Sequence, residues 1–175
     1  MDTIFSTERL TVRRFRPEDA ADLAEILTDP DVTYFEPYPT FAAEACVQEA
    51  ENLSKNEEFF AIVLGEKVIG KIYFSKRGAG TYELGYTVNG AYQGRGYAYE
   101  SVSAMMRHAF TEMNVRRIIA QIDTRNEKSV RLVERLGMRR EAEFKELYPR
   151  KEDKTIYNDF YEYALLKKEF PAGAH

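Results

Sequence analysis

Apolar side chains recur along this chain with two periods, and the periods mark most of its elements. Residues 7–15 alternate in part, with Leu10 and Val12 on one face, and read as an edge-type strand. Arg16-Pro17-Glu18-Asp19 then opens a helix, with proline in the first turn and acids against the positive end of the dipole. Leu23, Ile26 and Leu27 fall at i, i+3 and i+4, which gives that helix a buried stripe. Residues 29–39 hold Pro30, Pro37 and Pro39 with Tyr34 and Phe35 among them, and are expected to form a long loop. Thr40 is expected to N-cap a second helix running to about Leu53.

Further on the period shortens to two. Residues 59–64 and 68–74 flank a Gly65-Glu66-Lys67 turn, a hairpin signal, and residues 82–88 add a third strand after the glycines at 78 and 80. The clearest helix covers 95–113, where Ala98, Val102, Met105, Ala109 and Met113 keep one face. Residues 115–122 read as a buried strand, 127–136 as a short helix stopped by Gly137, and 157–166 as a last strand with near-alternating aromatics. The order β-α-α-β-β-β-α-β-α-β-β predicts a mixed α+β sheet rather than a doubly wound one.

Composition narrows the chemistry. With 175 residues, 44% apolar and 31% charged, the chain is expected to be one domain over 1–175 with a real core. Cys46 is the only cysteine, and the histidines are His108 and His175. An internal disulfide, a cysteine-based zinc site and a histidine relay are therefore excluded, no metal is expected, and a cytoplasmic setting follows. No run of about 18 apolar residues and no basic-then-apolar leader is present, so neither a membrane span nor a secretory signal is expected.

A net charge of −4 argues against a general nucleic-acid binder. Its distribution says more: residues 1–60 hold 14 acids against 5 bases, and residues 107–140 hold 9 bases against 4 acids. An acidic third and a basic stretch suit a site that takes a cationic ligand and an anionic one; a solvated surface whose charges simply fluctuate is the alternative.

The segment Gln93-Gly94-Arg95-Gly96-Tyr97-Ala98 joins a strand to a helix. Small residues there let backbone N–H groups face a ligand, and the helix N-terminus favours an anion, so a pyrophosphate fits. The spacing is not G-x-G-x-x-G after a first strand, and it lacks the Lys-Ser/Thr of a P-loop, which disfavours dinucleotide and nucleoside-triphosphate sites. A glycine-rich turn without function is the alternative.

This segment resembles the Q/R-x-x-G-x-G/A signature of the GNAT acetyltransferases, at the place that family puts it. Residues 123–138, with Asn126, Ser129 and Leu136-Gly137-Met138, resemble the family's N-x-x-S…E-K-x-G-F segment, with Met138 for the usual Phe. Tyr163-Ala164-Leu165-Leu166-Lys167-Lys168-Glu169-Phe170 resembles the closing strand of the branch that holds the ribosomal-protein N-terminal acetyltransferases. With Arg9-Leu10, Arg13 and Pro17-Glu18-Asp19-Ala20, the resemblance spans nearly the whole chain.

It implies a mainly antiparallel twisted sheet of six to seven strands with about four helices, splayed between the fourth and fifth strands. It implies acetyl-coenzyme A as donor, its pyrophosphate on the amides of Gly94, Arg95, Gly96, Tyr97 and Ala98, with Val88 and Gln93 flanking. Asn126 resembles the residue that meets the pantetheine arm, and it is equally suited to cap the helix after it. Lys128 and Arg131 are candidates for the cofactor's 3′-phosphate, against a plain surface role. Glu146 and Glu83 are the candidate general bases, each of which a surface salt bridge would also explain, and Ser129 is the candidate thiolate partner, with Tyr97 and Tyr148 weaker. The expected activity is N-acetylation of a cationic amine, a peptide N-terminus or a small molecule, by direct attack. A non-catalytic acyl-coenzyme A sensor of the same fold is the alternative, and a homodimer through strand edges is compatible with the pattern.

Overall fold

The structure, a computed structural model, describes residues 3–171, so His175 lies outside the described residues. The chain divides into two compact units, one holding the residues up to Phe74 with Tyr86–Ala104, the other Ser75–Gly85 with the residues from Met105 on.

In the first unit the expected strand at 7–15 is a hairpin of β1 (Thr3–Ser6) and β2 (Leu10–Arg13). Thr7 makes the turn: its amide donates to Leu10 O at 2.8 Å, and its hydroxyl oxygen accepts the Leu10 amide at 3.0 Å. β2 pairs antiparallel with β3 (Phe59–Leu64), and β3 with β4 (Lys67–Gly78) through the Gly65 turn. Helix α1 (Ala20–Leu27) follows a 3-10 turn at Pro17–Asp19. Its Leu23, Ile26 and Leu27 are fully buried, as their spacing predicts, each contributing about 1.5–3 kcal/mol of transfer free energy.

The expected loop at 29–39 opens with a single helical turn, α2 (Pro30–Thr33). Asp29 caps it, accepting from the amides of Asp31 and Val32, and Pro30 occupies the first helical position. Thr40 does not cap the next helix. Its hydroxyl meets that of Thr33 at 2.7 Å, and α3 (Ala45–Ser54) begins five residues later. Cys46, Ala50 and Leu53 of α3 pack with α1 and with Ala61, Val63 and Val68 of the sheet in one core.

β5 (Thr81–Val88) and α4 (Tyr97–Thr111) each run from one unit into the other, as β4 does. In the second unit β6 (Arg117–Asp123) pairs in parallel with β5 and antiparallel with β8 (Tyr157–Leu166), and β8 with β7 (Arg139–Pro149). Helix α5 (Glu127–Arg135) connects β6 to β7. The hydrogen-bonded order is β1-β2-β3-β4-β5-β6-β8-β7, mixed and mainly antiparallel as expected.

Among the described residues there are eight strands and five helices, against six to seven and about four: the N-terminal hairpin and the one-turn α2 supply the excess. The fourth and fifth strands of the sequence reading are thus β5 and β6. Their parallel ladder covers Thr81–Glu83 against Arg117–Ile119, while β5 goes on to Val88 and β6 to Asp123 with β8 as its partner. Among the described residues no helix is long and apolar enough to cross a membrane.

Candidate active site

In the first unit, the chain leaves β5 through Asn89, which is held from three sides. Its amide donates to Ile69 O at 2.8 Å, its side-chain oxygen accepts the Ala91 amide at 3.0 Å, and its Nδ2 donates to Glu25 at 3.0 Å. Glu25 and Asp22 also share the Lys67 ammonium, at 2.9 and 2.8 Å, which drives the Lys67 pKa well above its usual value. After a 3-10 turn at Gly90–Tyr92, Gln93 folds its Nε2 back onto Val88 O at 3.0 Å, so both residues brace the loop.

Gly94 and Gly96 then take φ of +76° and +81°. A Cβ at Gly94 would meet nothing within 4 Å, so glycine is required there by the left-handed backbone and not by space. The consequence is a run of amides, from Gly94 to Ala98, with no acceptor among the described residues. Two of them, Tyr97 and Ala98, open α4, where the dipole is positive.

The far end of this loop is clamped by Arg9. Its Nε donates to Glu100 at 2.7 Å, its Nη1 to Arg95 O at 3.0 Å, and its guanidinium lies 4.5 Å from the Tyr97 ring centroid. Glu100 also accepts the Thr7 hydroxyl at 2.6 Å and the Arg9 amide at 2.9 Å. Burial pushes the Glu100 carboxyl up, but these donors outweigh it and hold its pKa below the usual range. One carboxylate thus joins the N-terminal hairpin to the first turn of α4.

In the second unit, β6 ends at Asp123, nearly fully buried, whose carboxylate takes the Arg125 guanidinium at 2.9 and 2.8 Å. Asn126 then caps α5, accepting the Ser129 amide at 3.3 Å. Ser129 is half-buried in the first turn, whereas Lys128 is exposed and Arg131 pairs with Glu127 at 3.2 Å on the open face.

Glu146 sits at an irregularity of the β7–β8 ladder with φ +50° and an exposed side chain. Its amide donates to Asp159 Oδ1 at 2.8 Å, and Asp159 O accepts the Thr124 amide at 3.0 Å. Asp159 therefore ties Glu146 to the turn that carries Asn126 and leads to Ser129. The Glu146 amide and then the Lys145 ammonium hold the Asp159 pKa below its usual value.

Glu83 is placed elsewhere. It pairs in register with Ile119, four residues and so about 13 Å back along β6 from Asp123. Arg77 engages its carboxylate at 2.7 Å. The two candidate bases are not brought together. Arg9, Glu100 and Asp159 carry no signal of their role in the sequence. Arg9 stood only as part of an N-terminal pattern, and Asp159 lies on a strand read for its aromatics.

A family model described as an acetyltransferase (GNAT) domain matches residues 9–139, through both units. An N-acetyltransferase of Bacillus subtilis named as uncharacterized, YnaD, is 36% identical over 94% of this chain and 98% of its own. A GNAT-family acetyltransferase structure from Bacillus anthracis, 33% identical, superposes with a TM-score of 0.87 over 94% of this chain and 98% of that one. Mycobacterium smegmatis RimJ, solved in complex with CoA-disulfide, shares the fold at 21% identity, with a TM-score of 0.80 over 93% of this chain and 84% of its own.

Proposed function

The chain belongs to the GNAT acetyltransferase family, and from that premise we propose that it moves an acetyl group from acetyl-coenzyme A to a primary amine by direct attack in a ternary complex. The run of unpaired amides from Gly94 to Ala98 carries this reading, since such groups at a helix N-terminus are suited to a pyrophosphate. The fold neighbour solved with CoA-disulfide supports a coenzyme A donor. Asn126 receives the pantetheine arm with whatever donor capacity its cap leaves, and Lys128 and Arg131 offer positive charge to the 3′-phosphate.

The acceptor nitrogen attacks the thioester carbon, the C–S bond breaks, and coenzyme A leaves as a thiolate. Glu146 takes the proton that the amine gives up, directly or through one water, and Ser129 donates to the thiolate. Glu83 is the weaker base candidate because Arg77 already occupies its carboxylate. Cys46 is no acyl carrier: it is buried, its Sγ faces Ala42 O at 3.6 Å, and burial pushes its pKa up.

Thermal unfolding with acetyl-coenzyme A, ATP and NAD tests the donor. At a hundredfold excess over Kd a ligand adds about 2.7 kcal/mol, several degrees of Tm. Acetyl-coenzyme A is expected to give that shift and the other two not; equal shifts with ATP would overturn the assignment. Binding without release of free thiol in the presence of any amine would make the chain a sensor instead.

A further inference from the structure

Lys71 of β4 is 5% exposed, and its Nζ lies 4.3 Å from the centroid of the Tyr38 ring and 5.5 Å from that of Phe59. Among the described residues no oxygen comes within hydrogen-bond or ion-pair distance of it. An ammonium that meets ring faces instead of a carboxylate is only partly compensated for the hydration its stem's burial removes, because cation–π contact replaces hydration incompletely. Glu36, half-buried, accepts the hydroxyl of buried Thr87 at 2.6 Å and acts on the Tyr38 hydroxyl and, through space, on Lys71. Thr87 is the residue before Val88, where β5 gives way to the glycine loop. Tyr34 and Phe35, at 45% and 37% exposure and edge-to-face at 4.8 Å, precede Glu36. Burial pulls the Lys71 pKa down, and Glu36 and Glu49 pull it back, so the charges sense one another without touching.

All of these residues belong to the first unit, which also holds the amides assigned to the donor. An ammonium with no ion-pair partner and a carboxylate whose hydrogen bonds come from neutral hydroxyls, set beside aromatic rings, suit a ligand that brings the opposite charge to each. We propose that this cluster is the acceptor site and that its substrate class is a free amino acid, its ammonium on Glu36 and its carboxylate on Lys71. A polyamine would bring a second positive charge against Lys71, and a peptide N-terminus would offer only a carbonyl where a carboxylate pairs better. The inference rests on the acetyl-transfer reading above.

The test is a free-thiol assay at saturating acetyl-coenzyme A with the standard amino acids, their carboxamides, putrescine and spermidine. At least one amino acid is expected to exceed its carboxamide and both polyamines in kcat/KM, by the factor of about 10–100 that a charge-assisted hydrogen bond supplies. Lys71→Met should erase the preference, lowering kcat/KM for the amino acid and sparing its carboxamide, with partial recovery in Lys71→Arg. Lys71→Gln serves should the Met variant not fold. Glu36→Gln should lower both substrates, and none of these variants should alter the Tm shift given by acetyl-coenzyme A. Preference for a polyamine or a carboxamide, or an equal loss on both in Lys71→Met, overturns the proposal while leaving acetyl transfer standing. Failure of acetyl-coenzyme A to bind is instead the failure of the donor reading. If the donor binds and no amine turns over, saturation-transfer NMR with the same amino acids decides. Binding weakened by Lys71→Met supports the site, and no binding to the parent overturns it.

Discussion

The glycine loop and the β7 irregularity both place residues in the left-handed region, and they use it in opposite ways. In the loop, Gly94 and Gly96 take φ of +76° and +81° at no steric cost, and the amides that follow have no partner among the described residues. In β7 a glutamate takes φ +50°, which costs a non-glycine residue about 1–2 kcal/mol, and its amide is bound by Asp159. One region leaves its backbone free for a ligand and keeps its side chains away. The other fixes its backbone and presents a carboxylate. On the proposed function the first is where the donor binds and the second is where the proton moves, and strain held in place by a specific partner fits such a role.

The largest expected effect tests the second half of that contrast. Glu146→Gln preserves shape and removes the basic oxygen, and kcat should fall about 10²–10⁴-fold with little change in the Kd for acetyl-coenzyme A. If Glu83→Gln shows that loss and Glu146→Gln does not, the strained position is structural and the contrast fails.

Next in size is the clamp. Glu100→Gln weakens charge-assisted hydrogen bonds to Arg9 and frees the Arg95 end of the loop, so the Kd for acetyl-coenzyme A should rise about tenfold. Stability responds with a definite sign. The Glu100 pKa is lowered on folding, so its contribution is present above the ordinary glutamate value and fades as the pH falls through the folded one. Urea unfolding from about pH 7 down to 3 should show a shallower acid loss in Glu100→Gln than in the parent. Identical slopes would mean that folding does not stabilise the Glu100 carboxylate, and an unchanged Kd would mean that the clamp does not order the loop.

Smaller still is an effect on stability: Glu146→Gly, which shares the loss of rate expected of Glu146→Gln, should raise stability by about 0.5–1 kcal/mol, because glycine relieves the left-handed backbone. A destabilised Glu146→Gly would show that φ +50° carries no strain. The smallest effect belongs to Arg131→Ala, a rise of no more than a few fold in Kd that vanishes at high salt, since Arg131 is exposed and shared with Glu127.

What the sequence disclosed follows the same divide. Two glycines one residue apart at a strand–helix junction advertise a backbone device, and Leu23, Ile26 and Leu27 advertise a buried face; both were legible. β7 was not assigned a range because Arg139–Pro149 is exposed nearly throughout and so shows no alternation. The turn at Thr7 was missed because Thr and Arg are not turn markers, and the side-chain bond to Leu10 is invisible without coordinates. Arg9 and Glu100 stand 91 positions apart, and no local pattern joins residues at that distance. Glu146 was singled out by resemblance alone: its left-handed backbone has no signature in a glutamate.

Whether the amides from Gly94 to Ala98 hold the donor's pyrophosphate is decided by calorimetric titration of acetyl-coenzyme A into the parent and Gly94→Val. A Cβ at this position meets no protein atom within 4 Å, so a loss of affinity reports the loop backbone and the ligand's approach to it, not a disturbed core. Saturable binding to the parent is expected, with a Kd raised about tenfold or more in the variant, in line with a left-handed penalty of about 1–2 kcal/mol, and with the far-ultraviolet spectrum unchanged. Equal affinity in the two proteins would contradict that placement of the pyrophosphate.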